Sequence, residues 1–324
     1  KMAMIYDFPT NYEEKIDQAT KLMEKGYIDQ AICLLEDFLE VVKDQKIEFE
    51  VKKQLITAYM LKGEFEMCEA LILEIKAANC LDLIVAAHDI LVTMFQLPGD
   101  VVETKQLEYG RELGLNVLTN KNLIELVYQL KTYYESYWYE TIDKKIQVLK
   151  NESSFETRLM VLSDLQAIDP IQLTLFQEEF ESILNNCSQP IIKTMLFELL
   201  VQKGIECEVN FDSEMMSRQL KTTADSLDEF YEQLNQAIHL LFEIEVDEDT
   251  RQLLKQHLIF FYQCLFPFVD EVNPGEVVQE LARMLLGIEL ELVRQQKGLD
   301  DKLNTMTDIT YKMSQYILSL SSLM

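Results

Sequence analysis

The sequence predicts an all-α protein, and three observations carry that prediction. Helix breakers are scarce, with 9 glycines and 6 prolines among 324 residues, while straight-chain helix formers such as leucine, glutamate and lysine are abundant. Gly26, Gly63 and Gly99 follow one another at intervals of 37 and 36 residues, a period typical of stacked helix pairs. No long alternating run predicts a large sheet, and only Cys207 to Phe211 is expected to form a short strand.

The residues around these three glycines keep a common register. Apolar residues stand four and seven positions before each glycine and two positions after it, and a small residue stands five positions after it. These are Leu22, Tyr59 and Phe95; Ala19, Ile56 and Val92; Ile28, Phe65 and Val101; and Ala31, Cys68 and Thr104. Glycine accepts a positive φ without a Cβ clash. The pattern predicts a helix, a tight glycine turn and an antiparallel helix, repeated.

This arrangement resembles the tetratricopeptide repeat, which has a bulky residue late in its first helix, a turn glycine, an aromatic residue and then an alanine. The first unit matches best, through Leu22, Gly26, Tyr27 and Ala31. The second has Cys68 in place of the alanine, the third has Pro98 before its glycine, and a possible fourth centres on Ser136. The resemblance implies a superhelix of helix pairs over residues 1–150, continuing into a C-terminal helical region.

Polar and helix-breaking residues divide the rest of the chain into segments. Asn151 to Ser154 is a polar break, so residues 151–211 are expected to form shorter helical hairpins and residues 212–324 a C-terminal helical region. The predicted helices are 122–149, 156–168, 171–184, 191–202, 227–243, 249–266, 274–296 and 299–323. The segment 191–210 is similar to a stretch of uncharacterised tetratricopeptide-like proteins of low-GC Gram-positive bacteria, a group without an established activity.

The charge balance narrows the class of partner. Aspartate and glutamate number 56 against 29 lysines and arginines, for a net charge of −27. A nucleic-acid surface needs clustered bases to displace counterions, and anionic membranes attract the same residues, so neither partner is expected. The acidity either keeps the chain soluble or matches a basic partner.

Cysteine usage and hydropathy indicate a soluble cytoplasmic protein. The six cysteines are scattered without a C-x-x-C pair, which is typical of a reducing compartment. The segment from Met2 to Pro9 lacks the apolar core of a signal peptide. The longest apolar stretch, 258–269, is too short to cross a bilayer.

The sequence lacks the common catalytic motifs. Phosphate-binding glycine loops, the nucleophile elbow and H-E-x-x-H are missing from the sequence, and only three histidines are present. His88 and Asp89 resemble a phosphohydrolase dyad, but that site needs an earlier histidine, so His88 is expected at a surface or interface. We therefore expect no enzyme activity, no cofactor and no metal.

A column of equivalent residues marks the candidate binding site. In tetratricopeptide folds the first helix of each pair lines a concave groove, so threonines six positions before each glycine would form a polar ladder for a peptide backbone, beside adaptable methionines. The alternative is that threonine is merely tolerated there. The resemblance places the groove on Thr20, Met23, Lys53, Thr57, Met60, Asp89, Thr93 and Gln96, with Tyr133 and Trp138 as further binding residues.

Two aromatic clusters are second candidates. The residues at 133, 134, 137, 138 and 139 crowd one helix and cannot all face one core, so some must face solvent or the groove. Tyr134 and Tyr137 are expected in the core. The cluster from Phe260 to Phe268 is expected to be domain core or a dimer contact.

The sequence therefore predicts a non-enzymatic scaffold or adaptor that binds a protein or peptide partner in the repeat groove, and a basic partner is one of the two explanations of the acidity. One alternative is a peptide-responsive regulator related to quorum-peptide receptors, although the few residues before the first repeat leave no room for a DNA-binding domain. Another is a helix-rich hydrolase with an acidic cleft. Self-association as a homodimer is a further possibility.

Overall fold

The computed structural model describes residues 11–151, 154–213, 216–286 and Lys312. That part of the chain is mostly helical, so the all-α prediction is confirmed. The helices are α1 (Asn11–Glu24), α2 (Ile28–Val41), α3 (Gln45–Lys62), α4 (Phe65–Ala77), α5 (Leu83–Gln96), α6 (Gly99–Glu112), α7 (Val117–Asn151), α8 (Phe155–Gln166), α9 (Pro170–Leu173), α10 (Gln177–Asn186), α11 (Pro190–Lys203), α12 (Asp228–Phe242), α13 (Glu248–Leu265) and α14 (Pro274–Leu286). The strands are β1 (Glu208–Asp212) and β2 (Ser217–Lys221). The helix predicted at 299–323 and the last part of the one at 274–296 lie outside the described residues.

Backbone contacts divide the chain into two compact units, Lys1–Ile142 and Asp143–Met324. The division falls inside α7, whereas the sequence pattern places its first boundary at residue 151. No helix in the described part of the chain is both long enough and apolar enough to cross a membrane.

The first unit consists of three helix pairs and the beginning of α7. Consecutive helices from α1 to α6 contact one another, and α1 also contacts α3. Gly26 and Gly63 adopt φ values of 80° and 81° between the helices of the first two pairs. Ala19, Ile56 and Val92, the predicted core positions seven residues before the glycines, are all buried. The helix–glycine–helix prediction is confirmed for these two pairs.

The third pair turns differently. Its glycine, Gly99, is the first residue of α6 instead of the turn residue, and its φ is not positive. Leu97 ends α5 in an extended conformation, with φ −127° and ψ 161°. The residue before a proline is pushed out of the helical region by the ring, so Pro98 makes this turn without help from glycine. The predicted equivalence of Gly99 with Gly26 and Gly63 is wrong in backbone conformation.

The predicted fourth repeat is also wrong. Ser136, where its turn would lie, is inside α7, which continues unbroken from Val117 to Asn151. Neither glycine nor proline occurs in those residues, so nothing interrupts the helix. Its buried side chains recur every three to seven positions along one side, as an amphipathic helix requires: Leu123, Val127, Tyr134, Trp138, Ile142, Ile146 and Leu149.

The second unit contains the two strands. The antiparallel hairpin pairs Val209 with Leu220 and Phe211 with Arg218. The predicted strand at 207–211 is therefore confirmed within one residue, but its partner β2 lies in the region predicted to be helical. The ring of Phe211 anchors the hairpin, because it packs between Phe197 of α11 and Phe266 after α13, at centroid distances of 5.7 and 5.2 Å.

The aromatic cluster from 260 to 268 belongs to the core of this unit. Phe261, Tyr262, Phe266 and Phe268 are at most 6% exposed. The structure thus selects the core interpretation over a dimer contact for these four rings.

Each unit also encloses one buried free cysteine. Cys68 lies in α4 and its thiol contacts the Ile56 carbonyl at 3.6 Å. Cys207 precedes β1 and its thiol contacts the Gln177 carbonyl at 3.6 Å. Both behave as small apolar side chains inside their units.

Candidate functional site

The three threonines of the predicted ladder do not offer free donors. The hydroxyl of each one donates to the carbonyl four residues earlier in its own helix: Thr20 to Ile16 at 2.9 Å, Thr57 to Lys53 at 3.2 Å and Thr93 to Asp89 at 2.8 Å. This bond is available to any threonine inside a helix, because its hydroxyl lies close to the preceding turn. The three threonines do occupy equivalent positions, but each hydroxyl proton is already bonded within its own helix and is not available to a ligand.

Helix α7 covers the middle of the predicted groove. Trp138 is 1% exposed, and its indole N–H donates to the carbonyl oxygens of Met60 and Leu61 at 3.1 and 3.0 Å. These carbonyls lie in the last turn of α3, where few later amides remain to bond them. The Met60 oxygen also accepts from the Gly63 amide at 3.1 Å. The ring also packs against Phe65 and Phe95 at centroid distances of 5.9 and 5.3 Å. Met60 is fully buried under this contact.

One turn earlier on α7, Tyr134 makes a second polar contact, in this case with α5. Its hydroxyl lies 2.8 Å from Nε2 of His88, whose Nδ1 lies 2.8 Å from the Ile84 carbonyl. A carbonyl only accepts, so Nδ1 carries the proton and Nε2 accepts from Tyr134. Burial lowers the pKa of His88 below its ordinary value of 6.5, which keeps the ring neutral. His88 is therefore buried between α5 and α7. Of the surface or interface position expected from sequence, the surface alternative is wrong.

Burial also raises the pKa of Tyr134, so its hydroxyl keeps the proton that it donates to His88. Tyr134 and His88 thus connect α7 and α5 through side chains alone.

A second polar network surrounds Asp89. Its carboxylate accepts hydrogen bonds from Lys76 at 3.1 Å, Lys105 at 2.8 Å and the hydroxyl of Tyr109. Burial raises the pKa of Asp89, but the bonds from Lys105 and Tyr109 and the charges of both lysines outweigh it and hold the pKa below its usual range. Lys105 also donates to Thr93 at 2.8 Å. The network ties α4, α5 and α6 together, and the sequence indicated only Asp89 and Thr93.

The remaining predicted groove residues are spread around these contacts. Met23 is 6% exposed. Lys53 forms ion pairs with Glu50 and Asp82 at 2.8 and 3.2 Å. Gln96, at the end of α5, is exposed.

The aromatic residues of α7 divide by the side of the helix they occupy. Tyr134 and Trp138 are buried, Tyr137 is half-buried, and Tyr133 is 53% exposed. The sequence expectation that Tyr137 lies in the core with Tyr134 is therefore only half correct, since Trp138 takes that place. A spacing of four residues on a helix was the signal that could have paired 134 with 138.

The exposed tyrosine lies beside the first helix pair. Burial and the negative charge of Glu24 in α1 both raise the pKa of Tyr133. The hydroxyl of Tyr137 is 3.9 Å from the position that a Cβ would occupy on Gly26. This surface, which we call the tyrosine surface, consists of Glu24, Gly26, Tyr133 and Tyr137. Of these residues, Tyr133 is also one of the predicted binding residues, and it remains exposed.

No metal-binding cluster of three or more histidine, cysteine, aspartate or glutamate side chains occurs among residues 11–151, 154–213 and 216–286. Comparisons with protein-family models, with curated proteins and with solved structures returned no match for this chain.

Proposed function

We propose that this chain is a non-enzymatic scaffold that binds a protein or peptide partner, and that α1 to α6 are tetratricopeptide-like helix pairs. The observation that supports this most is that α7 packs against α3 and α5, on the side of these helices where the predicted groove residues lie. Trp138 of α7 donates to two α3 carbonyls, and Tyr134 donates to His88 of α5. Aromatic anchors one turn apart with matched polar contacts are the means by which helices bind in grooves.

The tyrosine surface is where a partner would bind. Tyr133 presents half of its ring to solvent, and tyrosine and tryptophan dominate the binding energy of many protein interfaces. Glu24 adds a carboxylate at its border. A partner that places an apolar side chain against Tyr133 and a lysine or arginine against Glu24 fits this chemistry, in keeping with the acidity of the chain.

The test compares two tyrosines of equal exposure on the same helix. Tyr133 is 53% exposed beside α1, and Tyr128 is 56% exposed on α7 without a described contact to α1. Partners captured from lysate by the wild-type chain would be identified and purified, and their affinities measured by calorimetry. Tyr133→Ala is expected to weaken binding by about tenfold or more, whereas Tyr128→Ala leaves it unchanged.

If the wild type, Tyr133→Ala and Tyr128→Ala bind the partner with equal affinity, the tyrosine surface is not the binding site. Equal urea midpoints of the two variants are the control for folding, and exposed positions of this kind normally change stability little.

A further inference from the structure

The outer edges of β1 and β2 differ in how their backbone groups are hydrogen-bonded to the rest of the second unit. Hydrogen bonds from Thr222 N to Cys207 O and from Ser213 N to Met216 O flank the ladder. Because hydrogen-bonded pairs alternate in an antiparallel ladder, Val209–Leu220 and Phe211–Arg218 are the bonded pairs inside it. The backbone groups of the residues between them point outward, away from the partner strand.

Side chains from α10 and α11 cap the outward groups of β1. Glu208 N donates to Glu181 at 3.0 Å, and the amide of Asn185 donates to Glu208 O at 3.0 Å while accepting from Asn210 N at 2.9 Å. Lys193 donates to Asn210 O at 2.5 Å. The Asn185 amide takes the place of a peptide group in a neighbouring strand, which closes this edge to further pairing.

The outward groups of β2 have no such cap. Among the described residues, no hydrogen bond reaches the backbone N–H or C=O of Ser217 and Gln219, or the N–H of Lys221; the Lys221 carbonyl accepts from Thr223 N at 2.8 Å. The side chains of these three residues are exposed. Arg218 holds the strand in place through the Pro267 carbonyl at 2.9 Å and Asp270 at 2.8 Å. An anchored strand with an open edge is a template for another strand.

We propose that β2 pairs antiparallel with β2 of a second copy of this chain, about a two-fold axis at Gln219. Rotation about that axis sets Gln219 opposite Gln219, Ser217 opposite Lys221 and Arg218 opposite Leu220. The three outward-pointing residues then exchange backbone hydrogen bonds in every opposed pair, and the two hairpins become one four-stranded sheet.

The charges favour this register. No like charges stand opposite each other in it. The Ser217 hydroxyl donates to the Asp212 carboxylate at 2.6 Å, so the Lys221 ammonium of one copy comes next to an aspartate of the other copy at both ends of the sheet. In a chain of net charge −27, the strand itself carries two cations, Arg218 and Lys221, which offset the nearby acids Asp270 at 2.8 Å and Glu208 at 3.2 Å. It is therefore a place where two acidic copies can approach with little local repulsion.

The two-fold axis through Gln219 permits a decisive test by sedimentation velocity on the full chain. The wild type is expected to shift from 37.9 kDa towards twice that mass as concentration rises. Higher salt should strengthen the dimer, because it screens the repulsion between two acidic copies. Gln219→Lys and Gln219→Glu each place like charges across the axis and should raise the dimer dissociation constant by at least about tenfold. Mixing the two variants should restore dimers, because lysine then faces glutamate.

Asn210→Lys is the matched control. Asn210 lies opposite Gln219 within the hairpin, on the same exposed face but on the capped edge, so this variant should dimerise as the wild type does. The proposal is overturned if both Gln219 variants dimerise like the wild type, or if their mixture stays monomeric. A wild-type chain that remains at 37.9 kDa at every concentration overturns it too, and would leave the open edge to a strand of a different protein.

Discussion

The indole nitrogen of Trp138 lies 3.1 Å from the carbonyl oxygen of Met60, although 78 residues separate the two in the chain. This contact places an aromatic residue of α7 on the helix face that the sequence pattern assigns to a ligand. The same atoms therefore serve the stability of the first unit, and any substitution there acts on folding as well as on binding.

Removing the indole donor should destabilise the first unit. In Trp138→Phe an aromatic ring remains, but the Leu61 carbonyl loses its indole donor and the Met60 carbonyl keeps only the Gly63 amide, which costs about 1–3 kcal/mol of unfolding free energy. Urea unfolding followed by circular dichroism measures it. Tyr128→Phe, on the exposed side of α7, is the control and should change little. An unchanged midpoint for Trp138→Phe would show that the bond does not contribute.

The carboxylate of Asp89 should matter more than that of an exposed ion pair. Asp89→Asn removes the charge that two lysines and Tyr109 contact, so we expect a loss of about 1.5–3 kcal/mol in urea unfolding. Asp17, paired with Lys21 on the exposed side of α1, is the comparison, and Asp17→Asn should change the free energy of unfolding much less than Asp89→Asn does. Equal losses in the two variants would contradict a special role for the Asp89 network.

The same network should contribute to acid unfolding. The pKa of Asp89 is depressed in the folded state, so its stabilisation is complete above the unfolded value of about 3.9 and is lost as pH falls through the folded pKa. The acid-unfolding curve of Asp89→Asn should consequently be flatter below about pH 4 than that of the wild type. If the acid-unfolding curves of the wild type and Asp89→Asn have the same slope, Asp89 does not contribute to acid unfolding.

His88 should make the protein less stable at mildly acidic pH. Burial lowers its pKa in the folded state, whereas the unfolded chain binds the proton near pH 6.5. The unfolded state therefore holds more protons just below that pH, and the free energy of unfolding should decrease as pH falls below it. His88→Gln should reduce this slope in urea titrations, with His257, whose pKa is also lowered by burial, supplying part of what remains. A slope that does not change would rule out His88 as its source.

The glycines of the repeat pattern should respond in opposite ways to alanine. At Gly26, φ is 80°, and alanine in this region costs about 1–2 kcal/mol. Gly99 begins α6 with nothing within 4 Å of an added Cβ, so Gly99→Ala should be neutral or stabilise by up to about 1 kcal/mol. Thermal or urea unfolding distinguishes them, and equal effects would contradict the different turn geometry.

The parts of this fold that sequence predicts are those encoded locally. Gly26 and Gly63 reveal their turns because glycine readily adopts the left-handed conformation that ends a helix, although Gly99 in the same register does not adopt it. The strand β2 escaped prediction because Ser-Arg-Gln-Leu-Lys has little intrinsic strand preference and forms only by pairing with Val209 and Phe211 of β1.

The candidate site shows the same limit. The column of Thr57 and Met60 follows from the repeat period, but nothing in that period reveals that Trp138 occupies the face they line. Such a contact depends on the packing of α7 against distant helices, and a pattern within one helix specifies which side is apolar without specifying its neighbour.

The two buried cysteines, one in each unit, allow the opening of each unit to be measured separately. Burial raises the pKa of the Cys68 thiol strongly and that of Cys207 to about 11, so neither reacts with a thiol reagent until its unit opens. After serine replaces the four cysteines that are exposed or half-buried, labelling followed by peptide mass spectrometry would give separate opening rates for α4 and for the segment before β1. The chain thus already carries the probes that would show whether its two units unfold together or one at a time.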